Sequence, residues 1–311
     1  MENKLNIGID IGGTKVNIGL VDENGKILHS TKMYMEVQKN PEELIKQISE
    51  NVIKLLDQDN IEKKFILNIG IGVPGTVNHK TGFVEFCPNL GWINVEAGEI
   101  FNKYLNHNIL ISQDSRLAAW AEYLVGAGRQ FQSFICITIG TGIGLGIIIN
   151  GKIFNGGMNT AGELGHTIFV KNGRLCNCGN HGCFERYTSG NAIFERAIEL
   201  FPEKFKGLPQ RSESVFKLAY LGDKDILNLI HEIVEDLAIG IANTVSILSP
   251  EAIILSGGLC EHKELLIDPL NELVHKYGYY SWTHKRTLRI LQAELGSDAP
   301  MIGAALLHKA V

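Results

Sequence analysis

Much that would mark a membrane, nucleic-acid-binding or dinucleotide-binding chain is missing from this sequence. No apolar stretch reaches the roughly 18–20 residues that spanning a bilayer requires. No dense run of lysine and arginine offers a nucleic-acid surface, and the formal net charge of −5 argues against one. Low-complexity segments and short-period repeats are absent, and MENKLNIGID enters a strand at once, leaving no room for a targeting segment. The expectation is a cytoplasmic protein with neither nucleic-acid nor membrane partners. Two nucleotide signatures also fail. Gly8 to Lys15 comes close to a Walker A loop, but Thr14 separates Gly13 from Lys15, and no G-x-G-x-x-G precedes a crossover helix. A P-loop or Rossmann fold is therefore disfavoured.

What is present is the composition of a globular protein with a full core: 45% hydrophobic and 20% charged residues. At 311 residues the chain exceeds the usual single domain, so two are expected. Cysteines are few and unevenly placed. Three of the six fall within eight residues, as Cys176, Cys178 and Cys183 in the spacing C-x-C-x4-C, with His166 ten residues upstream. Three thiolates and an imidazole suffice for a tetrahedral zinc site. His181 competes as fourth ligand, but it would have to bind from within the short loop between two liganding cysteines, so His166 is favoured. Metal binding would also fix the direction of Glu163 and Glu185, which flank the cluster. Cys87, Cys136 and Cys260 lie scattered in apolar surroundings, and nothing points to disulfides.

Along the chain, residues 4–10, 16–22 and 26–34 read as three strands joined by tight turns, an antiparallel meander. Residues 41–58 carry apolar side chains at helical spacing behind Pro41. ILNIGIGVPG (66–75) is a buried strand ending in a Gly-Pro-Gly break, and 110–112 is a short strand before a helix opened by Asp114. Strand, glycine turn and strand then recur at 134–149, ahead of an Asn150-Gly151 hairpin turn. Residues 186–240 read as mainly helical, 228–248 as one long amphipathic helix, 252–255 as a strand and 299–311 as a last helix. The repeated order predicts two similar α/β halves facing each other across a ligand cleft.

The glycine turns at 10–15 (D-I-G-G-T-K) and 140–144 (G-T-G-I-G) each join apolar strands. Glycine lets backbone N–H groups approach phosphate oxygens, and Thr14 and Thr141 add hydroxyl donors. Asp10 is placed to hold magnesium through water. Each turn alone reads equally well as an ordinary hairpin. Together with a third glycine turn at Gly257-Gly258 they favour a bound nucleotide.

D-I-G-G-T-K, P-N-L-G-W, G-T-G-I-G, G-E-L-G-H, C-x-C-G-x-x-G-C-x-E and S-G-G-L, in this order over essentially the whole chain, resemble the ROK family of bacterial sugar kinases and sugar-responsive repressors. The resemblance implies the actin-like, hexokinase-like (ribonuclease H-like) α/β fold, with ATP between two domains and a sugar at the base of the interdomain cleft. The corresponding division is 1–116, with the terminal helix 299–311 packing back on it, and 117–298. Asp10, Gly12, Gly13, Thr14 and Lys15 correspond to the first phosphate loop; Gly140, Thr141 and Gly142 to the second; Gly257 and Gly258 to the adenosine-contacting turn. Asn89, Glu163, His166 and Glu185 match positions that hold sugar hydroxyls, with Gly75 and Gln113 beside them. Asp114 matches the catalytic aspartate.

The resemblance thus implies ATP-dependent phosphorylation of a hexose, with magnesium, a structural zinc and a homodimer or homotetramer. Asp114 would act as general base on the 6-hydroxyl. Glucose leads; N-acetylmannosamine, N-acetylglucosamine, mannose, fructose and allose stay open. The reason is a departure from the family's usual Asn-Asp-Ala-Asn, which here reads Gln113-Asp114-Ser115-Arg116. Arg116 puts a fixed positive charge near the cleft, where it would favour an anionic substituent or pair with a nearby acid. Without the other motifs, Asp114 would read as a helix N-cap, and Asn89 and Trp92 as turn and core residues. Some relatives are repressors with an added helix-turn-helix; here the first strand begins too early for such a module. A catalytically silent sugar-binding protein is the second functional class.

Overall fold

The computed structural model describes residues 4–35, 40–58, 61–279 and 288–310. In chain order the elements are β1 (Leu5–Ile11), β2 (Lys15–Asp22), β3 (Ile27–Tyr34), α1 (Pro41–Gln58), β4 (Ile66–Val73), β5 (Thr76–Asn78), β6 (Phe83–Cys87), β7 (Trp92–Val95), α2 (Ala97–Leu105), β8 (Ile109–Gln113) and α3 (Asp114–Val125). Then come β9 (Phe134–Ile139), β10 (Ile143–Ile149), β11 (Lys152–Ile153), α4 (Glu185–Thr188), α5 (Gly190–Leu200), α6 (Ser212–Tyr220), α7 (Lys224–Leu248), β12 (Ala252–Ser256), α8 (Asp268–Tyr277), β13 (Arg289–Gln292) and α9 (Ala299–Ala305). Among the described residues no helix is long and apolar enough to cross a membrane.

The chain forms two compact units: residues 1–132, 146–162 and 297–311, and residues 133–145 with 163–296. The expected break after residue 116 falls inside α3. That helix cannot be divided, because α9 packs on its middle: a Cβ at Gly303 would lie 1.9 Å from the Leu117 carbonyl oxygen.

The first unit is built on a five-stranded sheet of order β3-β2-β1-β4-β8. The meander β1-β2-β3 is antiparallel, as its turn chemistry predicts: Asp22 Oδ1 accepts the amides of Asn24 and Lys26 at 2.9 Å each, and Gly25 takes φ +82°. β4 and β8 add in parallel. One face buries Ile7, Ile9, Ile18 and Leu20 against Leu44, Ile45, Ile48 and Val52 of α1 and Phe101 of α2. Each such side chain taken from water contributes roughly 1.5–3 kcal/mol. Asn40 caps α1, its Oδ1 accepting the Glu42 amide at 2.9 Å, and Pro41 fills the first helical position. The other face receives α9 at very short range, since a Cβ at Gly70 would lie 1.8 Å from the Ala304 oxygen. Only glycine fits there. Val311, the end of the expected last helix, lies outside the described residues. A small antiparallel sheet, β5-β6-β7, completes this unit.

In the second unit β12 is flanked by β9 and β13, both parallel to it. β10 starts at Ile143, two residues before the expected strand, so the glycine turn is confined to Gly140–Gly142. β10 and β11 form the expected hairpin, with Asn150 and Gly151 both at positive φ (+50° and +71°). α7 spans 25 residues from an Asp223 cap, whose Oδ1 accepts the amides of Asp225 and Ile226.

Candidate active site

In the first unit the expected residues gather at the carboxyl ends of β1, β4 and β8. Asp10 pairs in register with Gly72, and Gly72 with Ser112, two residues before Asp114. Ligands of parallel sheets bind at this edge. Beyond Asp10, Gly13, Thr14 and Lys15 are exposed, and the half-buried Gly12 donates its amide to the Lys15 carbonyl at 2.9 Å. Burial is the main cause that raises the Asp10 pKa above the ordinary carboxylate range; Asn17 and Lys15 work against it, and Asp298 adds to it. A nearby cation would favour the ionised form, so the position suits a magnesium-holding acid.

Asp114 is the first residue of α3, partly exposed, and its Oδ1 accepts the Ser115 amide at 2.6 Å. The helix N-terminus favours negative charge there. Gln113 is buried at the end of β8. Asn89 is exposed in the short 3₁₀ turn Pro88–Leu90, its Cβ 3.9 Å from where a Cβ on Gly13 would sit. Gly75 is forced by packing, since a Cβ there would lie 2.4 Å from the Phe86 oxygen and 2.7 Å from Cys87 Cβ. Burial, with some help from the charge of Asp114, pushes the Cys87 thiol up to about 12. It is a poor nucleophile at neutral pH. Trp92 is buried core, matching its plainer reading.

In the second unit, glycine turns again follow parallel strands. Gly140–Gly142 follows β9 and Gly257-Gly258 follows β12, whose Ser256 pairs with Thr138. A Cβ on Gly257 would lie 2.4 Å from the Ile139 oxygen, so the two turns are neighbours. Thr141 and Gly258 are exposed.

His166, Cys176, Cys178 and Cys183 converge, with their ligand atoms all within 4.8 Å of one another. Cys178 Sγ lies 3.5 Å from Cys183 Sγ, and Cys176 Sγ lies 3.7 Å from His166 Nδ1. A zinc tetrahedron with Zn–S of ~2.3 Å and Zn–N of ~2.0 Å has edges of roughly 3.5–3.8 Å, so the donors fit zinc in number, type and spacing. Burial raises the Cys176 thiol to about 12 and raises Cys183 as well, so a bound cation would be needed to favour their thiolates. His181 is exposed and turned to the Gly173 carbonyl at 3.1 Å, outside the group of converging donors.

The knot is tied to the rest of the unit by Phe184, whose ring occupies the space a Cβ would need at Gly240 of α7, 2.3 Å away. Glu185 follows it. Its Oε1 lies 3.4 Å from Cys176 Sγ, and its Oε2 would lie 2.8 Å from a Cβ on Gly142. One carboxylate therefore spans the cysteine cluster and the second glycine turn. Glu163 immediately precedes the 3₁₀ turn that carries His166, whose amide donates to the Glu163 carbonyl at 3.1 Å.

Two contributors to the site are not singled out by the sequence motifs: Asn17, which donates to Asp10, and Phe184, which anchors the knot. A polar residue inside the otherwise apolar run of β2 is the available signal for the first; nothing local distinguishes the second. Arg116 is the third residue of α3. The side chain is buried and donates to the carbonyls of Asn159 and Ala161 and to Asn155 Oδ1.

Residues 6–311 match the ROK family. The chain is 32% identical to a glucokinase of Thermotoga maritima, over 97% of this chain and 96% of that one. It is 28% identical to a xylose repressor of Caldicellulosiruptor bescii, over 96% of this chain and 76% of the repressor. Among solved structures, a ROK family glucokinase from Streptomyces griseus, in complex with glucose and AMPPNP, superposes with a TM-score of 0.82 at 30% identity, over 97% and 98% of the two chains. The expected actin-like, hexokinase-like α/β fold is the one observed.

Proposed function

The chain belongs to the ROK family, and from that premise we propose that it is an ATP-dependent hexose kinase converting glucose to glucose 6-phosphate. Asp114 accepts the proton of the attacking 6-hydroxyl, a role that needs a carboxylate within hydrogen-bond reach of the oxygen. Asn89, Gln113, Glu163, His166 and Glu185 orient the sugar by its hydroxyls, with Gly75 leaving room beside them. The amides of Gly12, Gly13 and Gly140–Gly142, the Thr14 and Thr141 hydroxyls and Lys15 hold the phosphates, and Gly257-Gly258 lies against adenosine. Magnesium, when bound, neutralises charge on the transferring phosphoryl group, and Asp10 is the residue that would hold it through water. Zinc would be held by His166, Cys176, Cys178 and Cys183. Four protein ligands leave no open position, so its role would be structural. His166 would face the metal through Nδ1, leaving Nε2 for the sugar.

The observation that best supports this reading is the row Asp10–Gly72–Ser112 at one sheet edge. Asp10 and Ser112, which precedes the proposed base by two residues, stand two strand spacings apart, about 10 Å. That is a distance an attacking hydroxyl and a triphosphate end can bridge. A coupled assay with ATP and a panel of hexoses, scored by kcat/KM, tests it. Glucose should rank first; a rank more than ~10-fold below an N-acetylated amino sugar would overturn the glucose assignment and keep the kinase class. A second reading, a sugar sensor without catalysis, draws on the likeness to the xylose repressor and on the altered flanks of Asp114. It requires a sugar that raises the Tm and is never phosphorylated.

A further inference from the structure

Residues 155–162 form an irregular connection from β11 to Glu163, and three of these eight residues have left-handed backbone: Gly156 (φ +71°), Asn159 (φ +58°) and Gly162 (φ +96°). Such a segment has little intrinsic preference for one path. Within it, Ala161 N donates to the Asn155 carbonyl at 3.2 Å and Asn159 N to the Gly156 carbonyl at 3.4 Å. The stronger hold comes from outside. Arg116, only 1% exposed, donates from Nη2 to the Asn159 carbonyl at 2.7 Å and the Ala161 carbonyl at 2.8 Å. Its Nε also reaches Ala161 O at 3.3 Å, and its Nη1 reaches Asn155 Oδ1 at 3.4 Å. His79 Nδ1 meets Asn159 Oδ1 at 2.9 Å on the same segment. Charge-assisted bonds to carbonyl oxygens are among the stronger neutral-acceptor contacts, and the rigid planar fork of arginine fixes direction as well as distance.

The place of this clamp matters. Arg116 is the third residue of α3, two beyond Asp114, and Ala161 is two residues before Glu163 and five before His166. We propose that Arg116 is a positioning residue for sugar selection: by gripping Asn159 and Ala161 from the helix that begins at Asp114, it fixes the segment that delivers Glu163 and His166 to the sugar. The proposal rests on the hexose-kinase reading above. It assigns to Arg116 a specificity role that needs no contact with substrate. Small changes in the path of 155–162 move the sugar's hydrogen-bond acceptors and leave the phosphate loops where they are.

The test uses the full chain with its metal, comparing the parent with Arg116→Met, which keeps the bulk and removes every donor, and Arg116→Lys, which keeps the charge without the fork. Arg116→Met should raise the KM of the preferred hexose by ~10-fold or more and leave the KM of ATP within about 2-fold. Its preference over epimers should shrink by a similar factor, and amide exchange in 155–162 should quicken. Arg116→Lys should show the same pattern at roughly a third of the size. An unchanged sugar KM, or sugar and ATP constants that move together, would overturn the proposal. Should Arg116→Met not fold, Arg116→Lys and His79→Ala are read by the same constants, and the same two results count for or against the clamp. If the parent phosphorylates no hexose, the kinase reading fails on its own, and the sugar-induced rise in Tm replaces KM. A rise lost in Arg116→Met upholds the clamp; an equal rise, or none in the parent, overturns it.

Discussion

Asn17 and Asp10 face each other in register across β1 and β2, and Asn17 Nδ2 donates to Asp10 Oδ2 at 3.1 Å. The bond eases a carboxylate whose pKa burial has raised. A folded-state pKa above the unfolded value means that the fold favours the protonated acid. The associated stability is complete below the ordinary value of 3.8 and is lost as pH rises through the raised one. Asp10→Asn should therefore raise the Tm at pH 7 without magnesium, by roughly 2 °C or more, and the gain should vanish below about pH 4. Thermal melts of both proteins across that range check this. Activity of the variant should fall, since a neutral amide is a poor partner for a cation.

Asp114→Asn keeps the shape at the start of α3 and removes the proton acceptor. Turnover should fall ~10²-fold or more, with KM for sugar and ATP within a few-fold of the parent. Steady-state kinetics decide: a few-fold loss would mean that Asp114 serves the helix end and the base is elsewhere.

Purified protein should contain about one zinc per chain, the number that four convergent ligands hold. Cys178→Ser should lose the zinc and weaken sugar binding together, because Glu185 abuts the cluster through Cys176. Metal analysis alongside sugar titration reads both. Full sugar affinity in a zinc-free protein would disconnect the knot from the site.

Gly257→Ala tests the proposed adenosine turn. Gly257 sits at φ +95° and ψ 164°, a region that is essentially glycine-only, and a Cβ would meet the Ile139 oxygen at 2.4 Å. The substitution should cost about 1–3 kcal/mol of stability and raise the KM for ATP more than that for sugar. Denaturant melts and the two KM values check it.

How much of the fold is legible in the chain depends on how local the cause is. β1, β2, β4, α1, α3 and α7 are each announced by runs of buried aliphatic side chains, and β3, which buries no side chain fully, by the turn at Gly25 before it. The sheet β5-β6-β7 carries no such signal, because its strands are three to five residues long and half exposed. The unit boundary escapes for a different reason. Residues 146–162 belong with the first unit through contacts such as Gly146, where a Cβ would lie 2.4 Å from the Ser115 oxygen, and no pattern within 146–162 records a partner thirty residues earlier. In the candidate site, the side chains proposed to hold ligands stand out by chemistry. Arg116 stands out only as a departure from the family pattern; its grip on residues 155–162 does not, since two of its acceptors are backbone carbonyls more than forty residues away.

The seating of α9 on β1 and β4 has a consequence for synthesis. The sheet face with Gly8 and Gly70 is finished by residue 132 of the chain, but the helix that covers it, α9, follows only at Ala299–Ala305. At a usual elongation rate of ~5–20 residues per second, about 10–35 s separate the two events. During that interval the nascent first unit presents an uncovered face of glycines and asparagines, among them Asn6, Gly8, Asn68 and Gly70, that α9 later buries. A chain stopped before Ala299 should therefore lack the partner of buried groups such as Asn68 and fold less stably than the full chain.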